Sequence, residues 1–505
     1  MTGMDYQPSA IGYQQKTKDK QQPTTDNQQM CDYKVTQESI HLLGALKQNN
    51  IRFAHWKSNG HLMKSLAGKT DLDLLIHPED RDAFESVLRQ IDYKKLKSQP
   101  WSSYPKVEDW IGFDYETGTF LHLHTHYAMV TGIQHVKHLY LPWIDVFFQH
   151  LHLDEATGWP IPEPEMEAII LLVRIWAKMP PDARMQALPT IPIYLRQELV
   201  DLLKKSDPDR LGALCQQLKL QAPEDMPRRI QKIIQENDAR ATLALSQYFY
   251  GQLKPFYRKQ WPVALMQSLY YKLYLKASKA SARWTGPLSM GKKMTGGGKI
   301  IALVGCDGSG KSTLSNDILN WLTYKIDTHY FYMGKNPYIK SYRKVIFSKT
   351  DILFKTSLPA KILKKVLGRF YFVVLIRRKV EMLQLARRMS RSGSVIICHR
   401  FPQQEVLGMN DGPHLQQVNN NWPSHLEREQ FNQVKKLPAD VVVRLKVSPE
   451  VASKRKPEHD YEKIKMKSES MNKILFDNSI IIDTDANKPY EQVLLSVKRA
   501  IWQNL

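Results

Sequence analysis

Residues 299–313, KIIALVGCDGSGKST, decide the fold of the C-terminal part of this chain. KIIALV is short and continuously apolar, as expected for a parallel strand that is covered on both faces. The strand leads through a GxxxxGK[ST] pattern into the helical segment TLSNDILNWL. In this setting backbone N–H groups converge on phosphate oxygens, and the helix N-terminus adds positive potential. The spacing predicts a phosphate-binding loop made of Gly305, Asp307, Gly308, Ser309, Gly310, Lys311, Ser312 and Thr313.

Two residues of this loop have expected roles. The Lys311 ammonium would reach the β- and γ-phosphates of a bound nucleotide, and the Ser312 hydroxyl would ligate Mg²⁺. ATP and Mg²⁺ are therefore the predicted cofactors.

Further apolar runs follow the loop, separated by helical segments: SVIIC, DVVVRLKV and SIIIDT, with a last helix from near Pro489. This alternation predicts a doubly wound α/β domain with a parallel sheet over residues 299–505. Arg400 directly follows SVIIC, at the strand end where ligands of such sheets bind, and its guanidinium suits bidentate contact with phosphate.

The loop GCDGSGKST, with the later segments SVIICHRFP, LPADVVVRLKVSPEVASKRKPE and SIIIDTD, resembles the thymidylate kinases and their relatives. The resemblance implies a P-loop kinase in which Arg400 approaches the acceptor phosphate. It also implies a basic lid formed by Lys454, Arg455 and Lys456, with Asp307 contacting the acceptor's sugar or an arginine. His399 stands where that family has an aspartate. Two roles stay open for it: a hydrogen bond to phosphate, or a cap on the strand without a role in chemistry.

The N-terminal part carries a pair of carboxylates. Asp71 and Asp73 alternate on the strand TDLDLLIH, a spacing that suits a shared divalent metal. With HWKSNG upstream and FLHLHTHY downstream, the segment resembles the nucleotidyltransferase superfamily. That resemblance implies that Lys57 and Ser58 match a phosphate-contacting loop and that His122 takes the place of a third carboxylate. His124 and His126 share the strand face of His122. Active nucleotidyl transfer, metal binding without transfer and a non-catalytic binding module are the three interpretations.

The expected organisation has five parts. A disordered leader (1–36) precedes an α+β nucleotidyltransferase-like domain (37–160), a helical region (161–285), a linker (286–298) and the P-loop domain (299–505). The first thirty residues lack the apolar core of a signal peptide, and the four cysteines form no CxxC pair. These features predict a cytoplasmic protein, or one peripheral to the inner membrane face.

The formal net charge of +22 is concentrated in one segment. Residues 335–400 contain 17 Lys and Arg against two acidic residues. Three interpretations compete: a cleft for a large anionic acceptor such as nucleic acid, a surface for anionic lipid, and ordinary solvated helix faces.

These features together predict an ATP/Mg²⁺-dependent phosphotransferase that acts on a nucleoside monophosphate or another phosphorylated acceptor. The alternatives are a nucleic-acid end-processing enzyme that combines kinase and nucleotidyltransferase, and a non-catalytic ATP-binding switch at a membrane or in a glycan-assembly system.

Overall fold

The computed structural model describes residues 33–179, 191–285, 288–334, 358–406, 408–415 and 421–505. The chain forms two compact units that divide between Met290 and Gly291, inside the predicted linker 286–298. Of the predicted leader, only the last four residues belong to the described part.

The first unit contains a mixed sheet with the strand order β1-β2-β5-β4-β3, in which only β2 and β5 are parallel. This is an α+β arrangement. The elements of this part are α1 (Gln37–Gln48), β1 (Phe53–His55), α2 (Leu62–Leu66), β2 (Leu72–Ile76), α3 (Arg81–Gln90), β3 (Lys94–Lys97), β4 (Val107–Phe113), β5 (Phe120–His126), β6 (Met129–Thr131), β7 (Leu139–Leu141), α4 (Ile144–Gln149), β8 (Leu151–Leu153) and β9 (Pro160–Pro162).

Helices make up the rest of this unit. The first of them is apolar around most of its circumference, and 12 of its 15 residues are buried. Such a helix must be covered by others. The helices are α5 (Pro164–Lys178), α6 (Ile193–Lys205), α7 (Pro208–Gln217), α8 (Met226–Glu236), α9 (Ala239–Gly251) and α10 (Trp261–Thr285).

The second unit is built on a five-stranded parallel sheet of order β12-β13-β11-β14-β15. The predicted parallel α/β architecture is confirmed here. Its elements are β10 (Lys293–Met294), β11 (Ile300–Gly305), α11 (Lys311–Thr323), β12 (Thr328–Tyr332), α12 (Leu358–Arg391), β13 (Val395–His399), α13 (Trp422–Lys435), β14 (Val441–Lys446), α14 (Pro449–Arg455), α15 (Tyr461–Glu469), β15 (Ile480–Asp485) and α16 (Tyr490–Gln503).

The central strand β11 positions the site. All six of its residues are buried, and it pairs with β13 on one side and β14 on the other. At the opposite end of the sheet Asp440 accepts a hydrogen bond from the Ile300 amide at 2.7 Å and pairs with Arg387 at 2.8 Å. Because all these strands are parallel, their carboxyl ends meet at one edge, where the phosphate-loop residues begin.

The buried centre of this sheet should dominate the stability of the second unit. We predict that Ile301→Ala, at a fully buried position, lowers the free energy of unfolding by about 2–5 kcal/mol, because it removes apolar contacts and leaves a cavity. The matched control is Ile480→Ala on the edge strand β15, where the residue is 51% exposed and the expected change is within about 0.5 kcal/mol. Urea unfolding of the full chain measures both, and equal losses would contradict this account of the core.

Candidate functional site

The predicted phosphate-binding loop joins β11 to α11. Gly308 and Gly310 have φ angles of +84° and +87°, a region that side chains rarely adopt. A Cβ at residue 308 would also lie 2.4 Å from the Ala452 carbonyl oxygen, so α14 closely approaches the loop at this point. The local backbone therefore requires the glycine at 308 for two independent reasons.

Lys311 is the first residue of α11, and its side chain is buried in the loop. Its Nζ donates a hydrogen bond to the Cys306 carbonyl and lies 3.3 Å from the Ser309 Oγ. Burial lowers the pKa of Lys311 to about 8, although Asp307 opposes the shift. Ser312 and Thr313 are exposed on the first turn of the helix, so the Ser312 hydroxyl is accessible as an oxygen ligand for Mg²⁺.

Asp307 is the meeting point of cations from two distant segments. Its carboxylate lies 2.8 Å from the Lys467 Nζ of α15 and 3.6 Å from an Arg400 terminal nitrogen. Burial opposes ionisation, but Lys467 and Lys311 nevertheless hold the pKa of Asp307 below its usual value. Sequence reasoning missed Lys467. The only local signal was the basic run KIKMK, which follows the segment assigned to the lid.

Arg400 lies directly after β13 in a strained conformation. Its φ is +67°, and its carbonyl accepts a hydrogen bond from the Asn410 side chain at 2.7 Å. A non-glycine residue held in this region costs about 1–3 kcal/mol, and such strain is concentrated at functional sites.

Arg400, Lys311, Asp307 and Lys467 all line one cavity. The remaining lining residues are Val304, Gly305, Cys306, Phe401, Gln403, Gly408, Met409 and Ile474.

His399 ends β13 and is buried beside the cavity. Its Nδ1 lies 2.7 Å from the Tyr330 hydroxyl, and its ring packs edge-on against Tyr332. Burial, followed by the charges of Lys311 and Arg400, lowers the pKa of His399 to about 4. The imidazole is therefore neutral near pH 7 and supplies no charge to a phosphate. Position 399 therefore offers no carboxylate to Mg²⁺, whereas the Ser312 hydroxyl is exposed beside the loop.

The residues assigned to the lid lie at the end of α14. Arg455 donates to the Ala486 carbonyl at 3.1 Å, and Lys456 pairs with Glu458 at 3.2 Å. Lys454, Arg455 and Lys456 are not among the described residues that line the cavity. The cation that the structure brings to Asp307 from this part of the chain is Lys467 instead.

Part of the basic segment 335–400 lies outside the described residues, namely 335–357. Within α12, the Lys379 ammonium donates to the Asn410 side chain at 2.6 Å, and Arg387 pairs with Asp440. Leu375 and Ile376 of the apolar stretch are buried in the unit, whereas Val374 is 59% exposed. Some of the positive charge in this segment therefore serves internal contacts.

In the first unit, the predicted metal ligands fall into two groups. The parallel register of β2 and β5 places Asp73 beside His124, at 3.0 Å, and Asp71 beside His122, at 2.8 Å. The His122 Nε2 also lies 3.2 Å from Asp109. Among the described residues, the side chains whose potential metal-ligand atoms lie close enough together to share one ion are Asp73, His124 and His126. The structure thus does not gather the predicted set of Asp71, Asp73 and His122, because each histidine pairs with the carboxylate that the register places opposite it.

The Lys57 ammonium lies beside the group formed by Asp73, His124 and His126. The Lys57 Nζ lies 2.8 Å from Asp73 and 3.3 Å from the His126 Nε2. Although burial opposes ionisation, Lys57 and the histidines hold the pKa of Asp73 well below its usual value. Asp73, His124 and His126 are close enough together to hold a metal ion, and the Lys57 ammonium would compete with that ion for the Asp73 carboxylate.

More cations surround this point. The Arg174 guanidinium lies 3.4 Å from the Ser58 Oγ, and Ser58 has a φ of +57°. Lys137 is partly buried, which lowers its pKa to about 7, and the positive charges of Lys57 and Arg174 add to the shift. A cluster of cations that disfavour one another's charge is suited to an anionic ligand.

Comparisons with known proteins bear on the coarse function. No protein-family model matches the chain. The "uncharacterized ATP-binding protein YghR" of Escherichia coli K12 is 29% identical over 217 residues, which covers 40% of this chain and 86% of that protein. The "uncharacterized ATP-binding protein YghS" of the same strain is 28% identical over 226 residues, covering 40% and 92%.

Solved structures give a weaker likeness. Deoxyadenosine kinase from M. mycoides with bound dATP is 17% identical, covers 40% of this chain and 98% of its own, and has a TM-score of 0.25. The loop, the parallel sheet and the two E. coli relatives support a P-loop nucleotide-binding architecture for Gly291–Leu505. The nucleotidyltransferase resemblance of the first unit stays a prediction.

The position of Lys57 generates a test. We predict that the full chain binds Mn²⁺ weakly at the first unit and that Lys57→Met tightens binding at least tenfold, because it frees Asp73, His124 and His126. Isothermal titration measures the change. Lys69→Met, which removes an exposed lysine from the same unit, is the matched control.

Adding Asp73→Ala to Lys57→Met should abolish the gain. Tight Mn²⁺ binding by the wild-type chain that Asp71→Ala/Asp73→Ala removes would contradict the assignment of Lys57 as the internal cation.

Proposed function

We propose that Gly291–Leu505 binds ATP with Mg²⁺ and transfers its terminal phosphoryl group to a phosphorylated acceptor. The observation that carries this proposal is the cavity at the carboxyl edge of the sheet, where Lys311, Arg400 and Lys467 surround the single carboxylate of Asp307. Three cations against one anion leave an excess of positive charge directly beside the phosphate-binding loop.

The donor would be held by the loop and by Lys311. The Lys311 ammonium now donates to a carbonyl of its own loop, and phosphate oxygens are stronger acceptors that would draw it outward. Mg²⁺ held at Ser312 would neutralise charge that develops between the β- and γ-phosphates. The chain itself contributes positioning and positive potential, which is the main protein contribution to phosphoryl transfer.

The acceptor would be held by Arg400. Its guanidinium can contact a phosphate in bidentate geometry, and its strained backbone fixes the side chain at the strand end. A nucleoside monophosphate or another small phosphorylated acceptor would place its phosphate between Arg400 and the donor. Lys467 and Asp307 would orient Arg400, or would exchange partners with the incoming phosphate.

For the first unit we propose a binding module for a phosphate-bearing ligand. The support is the Lys57 ammonium at Asp73, together with the Arg174 guanidinium at Ser58 and the neighbouring Lys137. This proposal selects the non-catalytic interpretation over metal-dependent nucleotidyl transfer, and the Mn²⁺ titration described above tests it.

The decisive variant for the second unit is Lys311→Ala. Incubation with labelled ATP and Mg²⁺ should show transfer by the wild-type chain and at least a hundredfold loss in the variant, because the γ-phosphoryl group loses its lysine. Lys299→Ala is the matched control, since it removes the same charge just before the amino end of the same strand β11 and should leave transfer unchanged.

The acceptors in that assay separate the alternatives. Transfer to nucleoside monophosphates or phosphosugars supports the proposal, and transfer to oligonucleotides alone would favour nucleic-acid end processing. ATP binding without transfer to any acceptor would favour a switch. Unchanged turnover in Lys311→Ala would refute the site assignment itself.

ATP affinity should depend on pH through Lys311. The pKa of this lysine is lowered to about 8, so the ammonium is present below that pH and is lost as the pH rises through it. Because phosphate binds the charged form, the Kd for ATP should rise by up to about tenfold per pH unit above about pH 8. Equilibrium binding between about pH 7 and 10 measures this, with Lys311→Ala expected to remove the dependence. A flat profile in the wild-type chain would contradict it.

A further inference from the structure

Helix α10 carries an exposed apolar face in the first unit. Six large side chains of this helix are between 40% and 73% exposed: Val263, Met266, Leu269, Tyr270, Leu273 and Tyr274. Since successive helical residues turn by about 100°, these six fall within an arc of about 140° on one side of the helix. The neighbouring positions Ala277 and Ala280 are also exposed and extend the same face.

The same helix has a second, packed face. Ala264 and Ser268 are buried, and Ala264 forms a small core with Ile133 and Val136. The exposed apolar arc points away from this contact. The helix is therefore anchored to its unit and still presents a surface that a protein in water does not usually leave uncovered.

The charged residues of α10 indicate which partner its apolar face can bind. Residues 261–285 contain no Asp or Glu, and Lys272, Lys276 and Lys279 are exposed on the arc beside the apolar face. An exposed apolar face bordered along one edge by lysines, with tyrosines among the apolar side chains, has the composition of helices that lie in the interface of an anionic bilayer. No helix in the described part of the chain is long and apolar enough to cross a membrane.

We infer that α10 docks the protein on an anionic lipid surface, with Met266 and Leu273 entering the acyl boundary and Lys272, Lys276 and Lys279 contacting the headgroups. A second copy of the chain fits less well. The spacing of Val263, Met266, Tyr270 and Leu273 would allow helix pairing, but each helix would bring lysines and no carboxylate to the contact. This inference does not depend on the proposed phosphotransferase function.

Flotation of the full chain with lipid vesicles, without nucleotide, tests the inference. Binding to phosphatidylcholine vesicles that contain phosphatidylserine should be at least tenfold tighter than to phosphatidylcholine alone, and should weaken with salt. Met266→Ser/Leu273→Ser and Lys272→Gln/Lys276→Gln/Lys279→Gln should each reduce binding to the anionic vesicles at least tenfold. Both sets change exposed positions, and circular dichroism and thermal unfolding confirm that the variants fold.

Two control variants make the test specific. Ile193→Ser/Tyr194→Ser alters another exposed apolar pair of the first unit, at 66% and 63% exposure, and should leave binding unchanged. Arg377→Gln/Arg378→Gln alters exposed arginines of α12 and should also have little effect.

Three results would overturn the inference: no binding to anionic vesicles, loss of binding only in the α12 variant, or a dimer in sedimentation that Met266→Ser/Leu273→Ser dissociates. The last result would assign the face to a second copy of the chain.

Discussion

The carboxylate of Asp307 is the interaction on which the geometry of the candidate site depends. It lies in the phosphate-binding loop and contacts Lys467 from α15 and Arg400 from the end of β13. These partners are distant in sequence, and only the parallel sheet brings the strand end and the helix to the same edge. The Asp307 carboxylate positions the side chains of Lys467 and Arg400 and partly neutralises their charge. An anionic ligand would compete with Asp307 for both of them. Under the proposed function, a phosphate that entered this cavity would meet cations already gathered at Asp307.

Burial determines which titratable side chains around the Asp307 carboxylate are charged near neutral pH. It lowers the pKa of Lys311 to about 8 and that of His399 to about 4, so one group stays charged near neutral pH and the other does not. The site thereby has cations where the phosphates of a donor and an acceptor would lie, and a neutral ring at the end of β13. Because position 399 carries a neutral ring and no carboxylate, His399 does not offset the positive potential of the cavity.

Sequence patterns predicted the features whose causes are local. The strand at 300–305, the loop at 305–312 and the following helix are encoded by apolar runs, glycines and their spacing, and each lies where it was expected. The strand pair that carries Asp73 and His124 was also visible as alternation.

What the sequence did not reveal depends on register and on packing between segments. The partner of Asp73 became His124 only through the parallel pairing of β2 with β5. Lys467 was missed because its importance comes from the side of α15 that faces the loop, and a run of lysines does not indicate which of them turns inward. The pKa of His399 depends on how deeply the folded chain buries its side chain, and a short sequence motif does not predict that burial.

The net charge of +22 illustrates the same limit, because a formal charge does not state what each cation faces. In segment 335–400, which has the greatest density of positive charge, Arg387 pairs with Asp440 and Lys379 donates a hydrogen bond to Asn410. Both contacts lie within the unit and stabilise it. In the first unit, Lys57 is buried against Asp73 and acts as an internal counter-ion. The lysines of α10 lie outside that dense segment, yet they border an exposed apolar face and are available to a partner. The function of a basic residue in this chain therefore follows from the residues that surround it.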